Sequence, residues 1–189
     1  MTILSKEIMK YIYTLIFCLA INILYAQNII KCNLGDFHAN KNKVSLYAHS
    51  KPNSTELDYI VYSSPWLGTV KIPQGTYYNL FCKNLNTAKE KFYSWNKETK
   101  GVSEMKGFKK EIARNPVFKQ GSGYNWLPGE MSWYYWIDLA NNPYIMINID
   151  ESINLYIAEN EIERFYDLFI NADSLFSNHP YTKMDKMLK

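Results

Sequence analysis

Alternation between apolar and polar positions dominates the second half of the chain. From Met131 to Leu139, the residues Trp133, Tyr135, Ile137 and Leu139 fall on one side of an extended strand, and Tyr134, Trp136 and Asp138 on the other. Asn141-Asn142-Pro143 is a turn into a second strand, Tyr144 to Asp150, whose Ile145, Ile147 and Ile149 share one side. After Glu151-Ser152 the same phase continues through Ile153, Leu155 and Ile157. The period then changes. Asn160 with Glu163 three positions later reads as a capping box, opening a helix whose Ile162, Phe165, Tyr166, Phe169, Ala172 and Phe176 make one apolar stripe. Such a stripe has to be buried, and the neighbouring sheet is its natural cover. From Asn178 onward the chain reads as a loose tail.

The first half predicts short strands divided by turn chemistry. Val44, Leu46 and Ala48 alternate with Ser45, Tyr47 and His49, and Lys51-Pro52-Asn53-Ser54 ends that strand. Leu57 to Tyr62, Leu67 to Ile72 and Tyr77 to Cys82 follow as strands, broken by Ser64-Pro65 and Pro73-Gln74-Gly75. Between the halves, Met105, Phe108 and Ile112 stand at spacings of three and four, predicting a helix over Ser103 to Ala113. Lys106, Lys109, Lys110 and Arg114 form much of its polar side, and Asn115-Pro116 stops it. The fold class expected is α+β and predominantly antiparallel β: a small barrel-like N-terminal half, then a sheet covered by one amphipathic helix.

The stretch Val44-Ser45-Leu46-Tyr47-Ala48-His49-Ser50-Lys51-Pro52-Asn53-Ser54, a strand followed by a Pro-centred turn, resembles the opening of bacterial SH3-like domains. The likeness spans residues 43–95. It implies a small barrel serving as a wall-associated or peptide-binding module, and carries over no functional residue.

Residues 1–26 carry an address. Lys6 and Lys10 precede an apolar run from Tyr11 to Leu24, and Ala26 offers a small residue for cleavage before Gln27, the layout of a secretory signal peptide. Ala20 is the alternative cleavage point. The run is shorter than the roughly 20 residues that span a bilayer, and no second such run follows, so no stable membrane span is expected after cleavage. Removing 26 of 189 residues leaves 163. These divide into a basic, β-rich half, 27–119, and a half made of sheet plus C-terminal helix, 120–189, packed together as one domain. An extracytoplasmic, periplasmic or secreted location is oxidising, so Cys32 and Cys82 are expected to form a disulfide, the alternative being two buried thiols.

Aromatic residues make up 16% of the chain and the net charge is only +3, which points to a packed globular protein and away from nucleic acid. The small net value hides a division. Lys31 to Lys119 holds fifteen Lys and Arg against seven Asp and Glu, whereas Gln120 to Asn178 holds nine acids and the single base Arg164. Mutual attraction of the two halves is the favoured explanation, with steering of a charged partner as the other.

Candidate chemistry is sparse. His38 lies two residues after Asp36, a spacing that on a strand puts both on one face for a metal or a His–carboxylate pair, but no third ligand has motif spacing. His49 with Cys82 is the one thiol–imidazole combination. No nucleophile elbow, phosphate loop or zincin helix is present, so no cofactor or metal is called for. Paired carboxylates for glycan hydrolysis would come from Glu130, Asp138, Asp150 and Glu151. The strongest functional signal is Gly121 to Gly129, where Tyr124 and Trp126 sit in a turn-rich segment just before an aromatic strand. Tyr124, Trp126, Trp133 and Trp136 are therefore the expected ligand-binding residues. The function expected is an exported, non-catalytic binding protein of the cell envelope, with a protein or glycan ligand. Alternatives are a periplasmic immunity protein that meets a cationic toxin with its acidic segment, and a small envelope glycan hydrolase.

Overall fold

The computed structural model describes residues 30–50, 57–62, 69–99, 101–121, 125–151 and 153–180. The leader, the turns expected at 51–54 and 64–65, Tyr124 and residues 181–189 lie outside them. Eight strands form one antiparallel sheet in chain order: β1 (Ile30–Ala39), β2 (Asn42–Ser50), β3 (Leu57–Tyr62), β4 (Thr69–Pro73), β5 (Lys109–Gln120), β6 (Trp126–Ile137), β7 (Pro143–Ile149) and β8 (Ile153–Ala158). Helix α1 (Thr76–Thr99) connects β4 to β5, and α2 (Glu159–Ile170) and α3 (Ala172–Asn178) follow β8. The protein is α+β with mostly antiparallel strands. Because the sheet is continuous, the strands of the first half do not close into a barrel of their own. Three helices, not one, are packed on it among the described residues.

The alternation of the second half is the inside–outside alternation of this sheet. Trp133, Ile147 and Leu155 lie in one cross-strand row and are all buried, as are Tyr135, Ile145 and Ile157 in the next. Leu139, expected on the same side, lies beyond the end of β6 and is 79% exposed. The helices cover this inner face, and rings fill the gap. Phe81 of α1 meets Trp133 at 5.2 Å and Phe169 of α2 at 4.8 Å, while Phe165 meets Phe37 of β1 at 4.9 Å between centroids. Each such ring removes roughly 150–250 Å² from water, which makes this aromatic layer the main source of cohesion between helices and sheet.

Three expectations are corrected here. Tyr77 to Cys82 is helix, not strand: extended past Cys82, the apolar positions Tyr78, Phe81, Leu85, Ala88 and Phe92 recur every three or four residues, and all are buried. Ser103 to Ala113 is not a helix. Only a 3-10 turn forms at Ser103–Met105, Gly107 takes a left-handed φ of 76°, and β5 then runs from Lys109 straight through Pro116. The spacing of four between Phe108 and Ile112 fits two strand alternations as well as one helical turn. Lastly, Asn160 and Glu163 make no capping box. The helix starts at Glu159 after Ala158, which gives no side-chain cap, and Glu163 reaches instead to Lys89 and Tyr93 of α1.

One close approach depends on glycine. At the bulge in β1, Gly35 has φ 149°, and a Cβ there would stand 2.8 Å from a methyl of Leu168 on α2. Its missing side chain lets the helix lie against the strand.

Candidate functional site

The outer face of β6, β7 and β8 carries rings where an antiparallel sheet facing water ordinarily carries polar residues. Trp136 on β6 pairs directly across from Tyr144 on β7, and Tyr156 on β8 lies diagonal to both. Trp136 is 5.6 Å from Tyr144 and 4.7 Å from Tyr156, and the two tyrosines are 6.1 Å apart, centroid to centroid. The rings touch one another, the tyrosines tilted by 35° and 40° to Trp136 and by 74° to each other, and make an apolar wall.

A second wall comes from the far end of the sheet. The β1–β2 hairpin turns through Asn40 and Lys41, at φ 54° and 62°, the left-handed pair of a two-residue hairpin. That turn places Asn40 against β8, where it imitates a neighbouring strand. Its N–H donates to the Tyr156 carbonyl at 3.1 Å, its side-chain amide donates to the Asn154 carbonyl at 2.7 Å, and its Oδ1 accepts from the Tyr156 N–H at 2.6 Å. Glu161 in the first turn of α2 accepts from the His38 N–H at 3.1 Å and faces His38 Nδ1 at 3.4 Å. Rings, hairpin turn and helix start enclose a cavity of about 580 Å³, with Asp138, Asn160 and Lys41 on its lining. This volume is in the range of small-ligand sites.

The electrostatics of the lining are settled internally. Burial raises the Asp138 carboxyl, but the Asn142 N–H at 2.7 Å, the Asn142 amide at 3.1 Å and further hydrogen bonds from Ala140 and Tyr144 outweigh it, so the group is held below its ordinary range. Tyr144 is pushed up, by burial first and by Asp138 second. Asp138 is thus an anion engaged as an acceptor. Among the described residues, Lys41 and the Asn160 side chain form no hydrogen bond or ion pair, and they remain available to a ligand.

Of the residues expected to bind ligand, Trp136 lies in this cavity and Tyr124 is outside the described residues. Trp133 is removed from the set. It is fully buried on the opposite face, and its Nε1 donates to Asn115 Oδ1 at 2.7 Å, an oxygen that also accepts from Asn84. Trp126 is separated from Trp136 by the length of β6, ten residues or about 33 Å at the usual rise, so the two cannot share one small site. It lies beside Phe118, and Lys71 Nζ stands 5.1 Å from each of those rings and 3.6 Å from Asp58. Tyr144 and Tyr156 were missed. The signal was their outward phase: both are rings on the side of the strand where polar residues belong.

Of the remaining candidates, Glu130, Asp150 and Glu151 come together on the lining of one pocket with Arg114 and Ser132, and the others are dispersed. Asp36 accepts from Ser45 at 2.6 Å and pairs with Lys43 at 2.9 Å, while His38 turns to Glu161, so the two do not act together. No group of three metal-binding side chains converges among the described residues. Cys32 is buried in β1 and Cys82 lies on α1, and no disulfide joins them in this structure. Burial pushes the Cys82 thiol up, against a hydrogen bond with Tyr78 that lowers it. Glu130 and Asp138 stand eight residues apart along β6, roughly 26 Å, far beyond the 5–10 Å of a glycosidase pair. Glu130 pairs with Arg114 at 2.9 Å and Asp150 with Lys119 at 2.6 Å. With Lys89 bound to Glu163, these contacts join bases of the first half to acids of the second. The divided charge is thus partly neutralised within the sheet and helices. Comparison with protein-family models, characterised proteins and solved structures finds no match.

Proposed function

We propose that the protein is a non-catalytic binding domain that acts outside the cytoplasm, in the cell envelope, and holds a protein or glycan ligand in the cavity of Trp136, Tyr144 and Tyr156. The observation that carries this reading is the wall of three mutually touching rings facing a cavity of about 580 Å³ on the solvent side of the sheet, while the core lies on the other side. Rings in that position add nothing to the helix–sheet core, and large rigid side chains bind at small entropic cost. The location rests on the cationic and apolar leader over Lys6 to Ala26. No helix among the described residues is long and apolar enough to cross a membrane. Export is tested by the mass of the protein recovered from the cell exterior or periplasm, which should begin at Gln27. Binding is tested by retention of envelope components on the immobilised mature protein, compared with a folded Trp136→Ala variant that should lose them.

A further inference from the structure

We infer that the aromatic cavity takes a neutral pyranose carrying an exocyclic amide, the chemistry of an N-acetylated amino sugar in a glycan chain. The inference rests on reading this cavity as the ligand site, and deepens it by naming the ligand class. Charge is the first argument. Two carboxylates, Asp138 and Glu161, line the cavity with Lys41 and His38, and both acids are already engaged, by Asn142 and by His38. The lining offers an ammonium no unengaged anion, and offers a phosphate no cluster of cations. A neutral ligand loses least on entering.

Ring geometry is the second argument. A cage for a quaternary ammonium needs ring faces spread around the cation, whereas these centroids lie only 4.7 to 6.1 Å apart and the rings contact each other. The exposed part of the Trp136 ring suits a flat apolar face, such as the C–H face of a sugar ring. The third argument is the polar inventory: the unengaged groups are Lys41 Nζ, the Asn160 amide and the second ring nitrogen of His38. Lys41 and Asn160 can donate to hydroxyl and amide oxygens, and a bare aromatic side chain from a protein partner would leave these donors without partners.

The test is calorimetric titration of the mature protein with triacetylchitotriose, with cellotriose, which has the same linkage but no amide, and with tetramethylammonium. Triacetylchitotriose should bind, cellotriose about fivefold more weakly for the missing carbonyl contacts, and tetramethylammonium not measurably. Trp136→Ala should weaken the chitotriose by roughly tenfold or more, and Asn160→Ala by about fivefold. Lys41 and Asn160 are exposed, so Lys41→Ala and Asn160→Ala decide the matter if Trp136→Ala does not fold. No binding of triacetylchitotriose, or equal binding by the folded variants, overturns the sugar assignment. If the sugar fails while an envelope component is still retained by wild type and lost by Trp136→Ala, the cavity remains the ligand site and only its ligand class is wrong. If neither is seen, both readings fall.

Discussion

Two tryptophans three residues apart on β6 should behave as different kinds of residue. Trp133 is fully buried, contacts Phe81 at 5.2 Å and Phe165 at 6.1 Å, and donates its indole N–H to Asn115. Trp133→Ala removes the largest fully buried side chain and opens a void that helices already in contact cannot close, which costs about 3–5 kcal/mol. Trp133→Phe keeps most of the volume and loses the indole hydrogen bond. Asn115 Oδ1 still accepts from Asn84 at 3.0 Å, so the cost drops to about 1–2 kcal/mol. Trp136 lies on the outer face, half-buried against Tyr144 and Tyr156, and its truncation forfeits those ring contacts and about half the buried area of a core ring, about 2 kcal/mol. Urea unfolding followed by circular dichroism gives the midpoints directly, provided the slopes stay equal. Trp133→Ala is expected to destabilise most, ahead of both Trp133→Phe and Trp136→Ala. Equal midpoints for Trp133→Ala and Trp136→Ala would refute the assignment of one ring to the core and the other to the site.

The hairpin clamp gives a second test. Asn40→Ala loses both side-chain bonds to β8 and puts alanine at φ 54°, a change of about 3 kcal/mol, whereas Asn40→Gly relieves the backbone part; exchange of the Tyr156 N–H should accelerate in both. Acid is expected to destabilise through carboxyls held low in the folded state: stability stays complete above the ordinary aspartate value of 3.8 and is lost as pH falls toward the lowered folded value of Asp138. Asp138→Asn should flatten that part of a urea-midpoint curve taken down to about pH 2.5, and an unchanged curve counts against the Asn142 contacts. Cys82, raised by burial, should react slowly with Ellman's reagent at neutral pH and quickly in urea. Finding no thiol even in urea would show that the Cys32–Cys82 bridge expected for an exported protein has formed.

Legibility in the sequence followed regularity of the backbone. β3 matches the run Leu57 to Tyr62, and β2, β7, β8, α2 and β6 from Met131 onward are visible as unbroken periods, whereas Trp126 to Glu130, which reads as a turn-rich loop, is the first part of β6 paired with β5. The failures have physical causes. β1 is not legible because the bulge between Asn33 and Gly35 shifts its phase, and β5 reads as a helix because a bulge between Glu111 and Ala113 and an internal Pro116 hide its alternation. α1 was cut short because six residues of a helical repeat pass for a strand when the window stops at Cys82. At the site, Trp136 was legible as an aromatic on the outward phase, and by the same rule so were Tyr144 and Tyr156. The contribution of Asn40 and His38 was not, since it depends on the β1–β2 turn meeting β8 and α2 across more than 110 residues of chain.

The most direct test of the cavity is retention of envelope protein and glycan fractions on immobilised mature protein, run side by side for wild type, Trp136→Ala and Trp126→Ala. A species held by wild type should be lost with Trp136→Ala and kept with Trp126→Ala. Equal retention by wild type and a folded Trp136→Ala protein, or loss only with Trp126→Ala, would contradict it.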